Sequence, residues 1–180
     1  RNFSTGELAW CLDRIAQLDV DLKGNTDLPA ELVLELLERR AAGEPVEIDI
    51  SSIEPGGAII VTWRGKPYFI RRLTEEEVTA VDALGEGDTK DWQPAAERID
   101  EVEGGDAAGW IVVSANCTHL GCIPKVVEVG AEGWHCPCHG SVFDMTGRIL
   151  RGPAAINLPR PPHAFADAST LIIGTDTAEA

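Results

Sequence analysis

The chain is short of positive charge. Fifteen Lys and Arg stand against thirty Asp and Glu among 180 residues, giving a formal charge of −15. Nucleic-acid binding draws on cations that displace counterions from phosphates, so this deficit argues against a nucleic-acid partner. Also missing is any apolar run near the roughly 18–20 residues that cross a bilayer. No basic-then-apolar signal pattern opens at Arg1, and no internal repeat or low-complexity tract is visible. A hydrophobic share of 44% is that of a globular chain, not a disordered one. The length suits one ordinary domain plus an appendage. Cysteine is sparse, with five in all, yet four of the five fall between positions 117 and 138.

The acidity is uneven. Residues 1–44 carry 5 basic and 9 acidic groups, residues 45–109 carry 6 and 15, and residues 110–180 carry 4 and 6. The first stretch predicts a helical hairpin. Ser4 and Glu7 have capping-box spacing ahead of Leu8, Cys11, Leu12, Ile15 and Leu18. Asp27 and Pro29 open a second helix carrying Leu32, Val33, Leu36 and Leu37. Cys11 falls on the apolar face and reads as an inert buried thiol. From Pro45 the period changes to two. Val46 to Ile50 alternates, and Ile59 to Trp63 and Tyr68 to Ile70 flank a turn at Arg64-Gly65-Lys66-Pro67. Residues 73–109 read as an acidic surface insertion with a short helix from Thr74. Strands resume at Trp110 to Val113 and Val126 to Val129. A Pro-rich loop from Gly152 to Pro162 precedes a last strand around Leu171 to Ile173. Many short strands with Gly/Pro turns predict a mainly β domain, a small sandwich or barrel-like core. His163 reads as a surface residue.

Chemistry is concentrated in Cys117-Thr118-His119-Leu120-Gly121-Cys122 and Cys136-Pro137-Cys138-His139-Gly140-Ser141. Each block offers two thiols and one imidazole on a tight loop, and 16 residues separate His119 from Cys136. Thiolate and imidazole together bind zinc or iron–sulfur centres. Structural zinc sites usually space paired ligands by two to four residues, whereas the first block presents Cys-x-His. A 2Fe–2S centre with two Cys on one iron and two His on the other would take Cys117, His119, Cys136 and His139. Cys122 and Cys138 are then left over, one per loop, and a disulfide between them would pin the loops together. His135 should point away from the ligands as a packing or surface residue.

These blocks resemble the Rieske iron–sulfur proteins, and the extra Cys pair is most similar to the Rieske subunit of cytochrome bc complexes, over about residues 45–174. The resemblance implies an antiparallel β-sandwich across residues 45–180, with a small cluster-binding subdomain at 110–163. It implies one 2Fe–2S cluster, with Cys117 and Cys136 on the buried iron and His119 and His139 on the exposed one. It further implies a Cys122–Cys138 disulfide, a cluster-covering loop at Gly152-Pro153-Ala154 and an apolar docking tip at Leu120. Ser141 matches a serine whose hydroxyl donates to a cluster sulfur. Phe143 stands where high-potential members have Tyr, which implies a lower potential here.

The implied function is quinol–cytochrome c reduction. His139, with His119 as the second exposed imidazole, would meet the quinol, and the electron would pass to a c-type cytochrome. Cytochrome b and the c-type cytochrome are then the expected partners. The implied place is the periplasmic side of a bacterial inner membrane, consistent with a disulfide in an oxidising compartment. Membrane association would run through the complex or through an anchor ahead of Arg1. Alternatively, the helical hairpin replaces that anchor, or is a simple packing appendage. Two other readings compete: a soluble Rieske carrier serving an oxidase or oxygenase, and a structural zinc module.

Overall fold

The computed structural model describes residues 44–102 and 108–175. The expected hairpin and Cys11 therefore lie, apart from Glu44, outside the described residues. Alternation over Val46–Asp49 produces strand β1, half-buried on alternate residues. Ala58–Trp63 and Lys66–Arg72 form the hairpin β2–β3, with Arg64 and Gly65 at φ of 51° and 69°. Two successive residues at positive φ let a two-residue turn match the strand twist. Trp110–Ser114 follows as β4 and pairs antiparallel with β3.

The chain then leaves this sheet to build a four-stranded meander. Its strands are β5 (Lys125–Val129), β6 (Glu132–His135), β7 (Val142–Asp144) and β8 (Ile149–Arg151). It returns through β9 (His163–Asp167) and β10 (Thr170–Ile173), which pair with one another, and β10 pairs with β1. Three antiparallel sheets result, and the meander is an excursion between β4 and β9.

The sheet β2-β3-β4 is the middle layer. Because side chains alternate across a strand, Phe69, Ile111 and Val113 enter one core with Trp134, Phe143, Met145 and Ile149 of the meander. Tyr68, Ile70, Trp110 and Val112 enter a second core with Ile50, Leu171 and Ile173. Burial on both faces explains why β4 is apolar at four successive positions. Phe69 stacks on Trp134 with ring centroids 4.3 Å apart, tying the meander to this layer.

Residues 73–109 differ from the surface insertion expected of them. Thr74 caps α1 (Glu75–Asp82) in a capping box with Glu77, as its sequence suggests. However, Leu73, Val81, Ala95 and Ala108 are buried in the first core. Arg98 is buried as well, donating from Nε to the Thr146 carbonyl at 2.8 Å and from Nη2 to that of Leu158 at 2.6 Å. Desolvation pushes this guanidinium down to about 10, so it is still cationic at neutral pH. Most of the described acidic residues face water while a few widely spaced apolar ones turn inward, too few to show a period.

His163 also departs from expectation. It is buried at the start of β9, with Nδ1 2.8 Å from the Pro161 carbonyl oxygen and Nε2 3.0 Å from Asp100 Oδ2. Pairing opposite Ile173 turns its ring inward, where the Pro161 carbonyl meets Nδ1 and both Asp100 and Arg160 Nη2, the latter at 3.2 Å, meet Nε2.

Candidate metal centre

Two loops of matching construction carry the cysteines and histidines. β4 leads into Cys117–Cys122, where the Cys117 amide donates to the Cys122 carbonyl and the Gly121 amide to the Cys117 carbonyl, both at 2.8 Å. β6 leads into Cys136–Ser141, where the Cys136 amide donates to the Ser141 carbonyl at 2.8 Å and the Gly140 amide to the Cys136 carbonyl at 3.1 Å. Gly121 and Gly140 hold φ of 81° and 75°, a conformation that side-chain-bearing residues rarely adopt. A disulfide between Cys122 and Cys138 bolts the loops together.

Beneath the loops, Cys117 and Cys136 are unbridged and buried. Burial pushes the Cys117 thiol up, partly offset by hydrogen bonds from the His119 amide and the Ser141 hydroxyl, while contact with Cys136 raises it further. On the same loops, the rings of His119 and His139 stand edge to face with centroids 4.8 Å apart. His139 is exposed and His119 half-buried. His119 Nδ1 is fully buried with no hydrogen-bond partner among the described residues.

An orphaned ring nitrogen is costly unless something accepts it as a ligand. Two buried thiols in contact and two adjacent imidazoles carried on the same pair of loops, one with such a nitrogen, fit the donor set of a 2Fe–2S centre held by two Cys and two His. The Sγ atoms of Cys122, Cys136 and Cys138 also lie within 4.8 Å of one another. Two of those three are bonded to each other, so only Cys136 among them can donate to a metal.

The surroundings close the site on one side and open it on the other. Ser141 is buried, and its Oγ accepts from the Ala154 amide at 3.1 Å, leaving the hydroxyl hydrogen for Cys117. Gly152 holds φ of 100°, and a Cβ there would lie 2.5 Å from Ser141 Cα and 2.6 Å from the Gly140 carbonyl oxygen. The loop Gly152-Pro153-Ala154 therefore sits directly against the second cysteine loop. Thr118 Oγ1 donates to the Ile156 carbonyl at 2.7 Å, joining the first cysteine loop to the same segment. Phe143 is fully buried opposite Trp134, in the core that also contains Cys117 and Cys136.

Leu120 is 70% exposed, and Ile123 and Ile156 are exposed as well. Sequence reasoning missed the last two, although exposed apolar residues flanking the ligand blocks were the available signal. His135 is not part of the site. Its Nε2 lies 2.6 Å from Glu132 Oε2, and the hydrogen bond from Arg151, followed by that from His135, holds the Glu132 carboxyl below the usual range.

Comparison with known proteins agrees with this geometry. The family model of the Rieske 2Fe–2S domain matches residues 46–162. The chain is 47% identical over 129 residues to cytochrome b-c1 complex subunit Rieske-3 of Nicotiana tabacum, covering 72% of this chain and 46% of that protein. It is 46% identical over 138 residues to the ubiquinol-cytochrome c reductase iron-sulfur subunit of Blastochloris viridis, covering 77% of this chain and 75% of that one. The chain thus spans less than half the length of its tobacco relative. A chain of a hyperthermophilic respiratory Complex III superposes with a TM-score of 0.49 at 24% identity, covering 93% of this chain and 99% of that one. Among the described residues no helix is long and apolar enough to cross a membrane. The matched ligand loops and the family model covering most of the chain lead to one statement: this protein belongs to the Rieske iron–sulfur family.

Proposed function

We propose that the chain is the Rieske electron-transfer subunit of a quinol–cytochrome c reductase, with residues 45–180 as the cluster-bearing domain and 110–163 as its cluster-binding part. The observation that carries this reading is a pair of buried thiols and two adjacent imidazoles on the same two loops, braced by the Cys122–Cys138 disulfide. Cys117 and Cys136 would hold one iron, and His119 and His139 the other. When bound, a 2Fe–2S cluster with two imidazoles in place of two thiolates supplies a one-electron acceptor of raised potential.

The protein's own groups do the rest. Cys117 and Cys136 keep their sulfurs out of water, and the Ser141 hydroxyl donates to one of them. Exposed His139 would present its outer ring nitrogen to the quinol hydroxyl and take its proton there, and the 2Fe–2S group that Cys117, Cys136, His119 and His139 would hold would supply the acceptor for the accompanying electron. Leu120, Ile123 and Ile156 form the apolar rim that docks in cytochrome b. The electron then passes to a c-type cytochrome. Catalysis belongs to the assembly, since the quinol pocket needs a partner subunit. The disulfide suits the periplasmic side of a bacterial inner membrane.

Two measurements test this. Purified protein should be red-brown and show a Rieske electron paramagnetic resonance signal on reduction, whereas a colourless zinc protein would refute the ligand reading. With purified cytochrome b and c-type cytochrome subunits, the chain should restore quinol-dependent cytochrome c reduction. Failure of that reconstitution with an intact cluster would favour the soluble carrier.

A further inference from the structure

The covering loop is held from outside by two residues that precede it by 62–66 positions. Lys90 Nζ donates to the Gly152 carbonyl at 2.6 Å and to the Ala154 carbonyl at 3.0 Å. The Lys90 amide donates to the Ile149 carbonyl at 2.9 Å, fixing the Lys backbone against β8. Asp91 takes the far end of the loop. Its Oδ2 accepts from the Asn157 amide, and its backbone carbonyl accepts from Asn157 Nδ2, both at 2.9 Å. Asn157 Oδ1 in turn accepts from the Ile149 amide at 2.8 Å.

The loop is short, made largely of Pro and Ala, and starts from a positive-φ glycine. Its own residues offer little to hold two carbonyls on one side. A single ammonium between the Gly152 and Ala154 carbonyls draws them together and sets the curl of the backbone. That curl aims the Ala154 amide at Ser141 Oγ. With its oxygen accepting there, the hydroxyl has only one hydrogen to place, and it lies on Cys117.

We propose that Lys90 and Asp91 form a positioning clasp for the cluster site: by holding the covering loop in its curl, they orient the Ser141 hydroxyl toward the Cys117 sulfur. Neither residue touches the ligands. The clasp lies in segment 73–109, between the core residues Val81 and Ala95. The inference rests on the ligand reading above, and its test separates the two.

The experiment uses the loaded protein and a double-mutant cycle of Lys90→Met with Ser141→Ala, read as midpoint potential. Removing a cation lowers the potential through charge alone, but that part is equal in both backgrounds. Positioning is not, so Lys90→Met should lower the potential more in the Ser141 protein than in Ser141→Ala. Lys90→Arg, which keeps charge and donors, should restore most of the difference. Amide hydrogen exchange of the peptide spanning residues 152–157 should rise about tenfold in Lys90→Met, while peptides from β7 stay unchanged. Equal potential shifts in the two backgrounds, or unchanged exchange, would overturn the clasp. If Ser141→Ala alone leaves the potential unmoved, the reading of Ser141 fails, and with it the orienting role of the clasp. A Lys90→Met protein that does not load is replaced by Lys90→Gln, read in the same way.

Discussion

Replacing Arg148 by Met should cost about 4 kcal/mol of stability. This side chain is 1% exposed and paired with Asp144, itself fully buried, through Nε and Oδ2 at 2.6 Å. Nη1 donates to the Gln93 carbonyl at 3.0 Å and Nη2 to the Val81 carbonyl at 2.7 Å. Removing one partner of a buried ion pair costs about 3–5 kcal/mol. Asp144 keeps donors from the Thr146 amide, the Thr146 hydroxyl and the amide of residue 148, which places this part near the lower end. The buried Val81 carbonyl and the part-buried Gln93 carbonyl also lose donors, at about 1 kcal/mol each, partly counted already in the first figure.

At roughly 3–5 °C per kcal/mol for a domain of this size, the loss amounts to about 15 °C. Thermal bleaching of the cluster absorbance, followed together with near-ultraviolet circular dichroism, reads it. A shift below about 4 °C, or roughly 1 kcal/mol, would show that Arg148 does not hold the acidic segment to the meander. The double replacement Asp144→Leu with Arg148→Met leaves no lone charge and should recover part of the loss. A double variant worse than the two single losses together would contradict the ion-pair argument.

Phe143→Tyr should raise the midpoint potential, because a phenol at this buried position would donate to a ligand sulfur; a redox titration without an upward shift refutes that placement. Gly152→Ala should displace the covering loop, since its Cβ would fall 2.5 Å from Ser141 Cα at a φ of 100°. Solvent-driven cluster loss should quicken, and unchanged bleaching kinetics would show that the loop does not seal the site. Glu132 gives a pH dependence. Its carboxyl is held low by Arg151 and then His135, so its stabilisation is present above about pH 4.3 and is lost as pH falls through the lower folded value. The groups are partly exposed, which limits the effect to about 0.5–1 kcal/mol. Urea midpoints of the protein and Glu132→Gln should converge between about pH 5 and about pH 3, and a gap that widens on acidification would reverse the sign.

What could be read in the sequence and what could not divides along physical lines. The ligand loops were legible because metal chemistry accepts few residue types and the turns accept few spacings: a Cys, a His two or three residues on, and a glycine at positive φ before the loop closes. The hairpin around Arg64-Gly65 and the helix capped by Thr74 were legible because their signals are local, a turn pair and a capping box. Strands β7 and β8 were not, since each has three residues and no period can be seen in three. The burial of His163 and Arg98 depends on Asp100, Thr146 and Leu158, partners that lie far away in the chain or across a sheet.

Segment 73–109 shows why composition misleads in a particular way. Charge counted along a chain says where the net field lies, not which side chains are solvated. Here Arg98 turns inward and Lys90, itself exposed, reaches back to the Pro-rich loop, so both are met by backbone carbonyls. Most of the acidic ones stay in water, so the segment reads as more of an outside feature than it is. Buried cations can be tolerated only where carbonyls or carboxylates meet each donor. Such carbonyls are plentiful where short strands and Pro-rich loops leave the main chain without ladder partners, which is the condition of the chain around the cluster site. Arg98, Arg148 and Lys90 together reach carbonyls at positions 81, 93, 146, 152, 154 and 158. Arg98 and Lys90 come from segment 73–109 and Arg148 from the turn between β7 and β8, so cations from two parts of the chain tie that segment to the meander and to the Pro-rich loop through main-chain carbonyls.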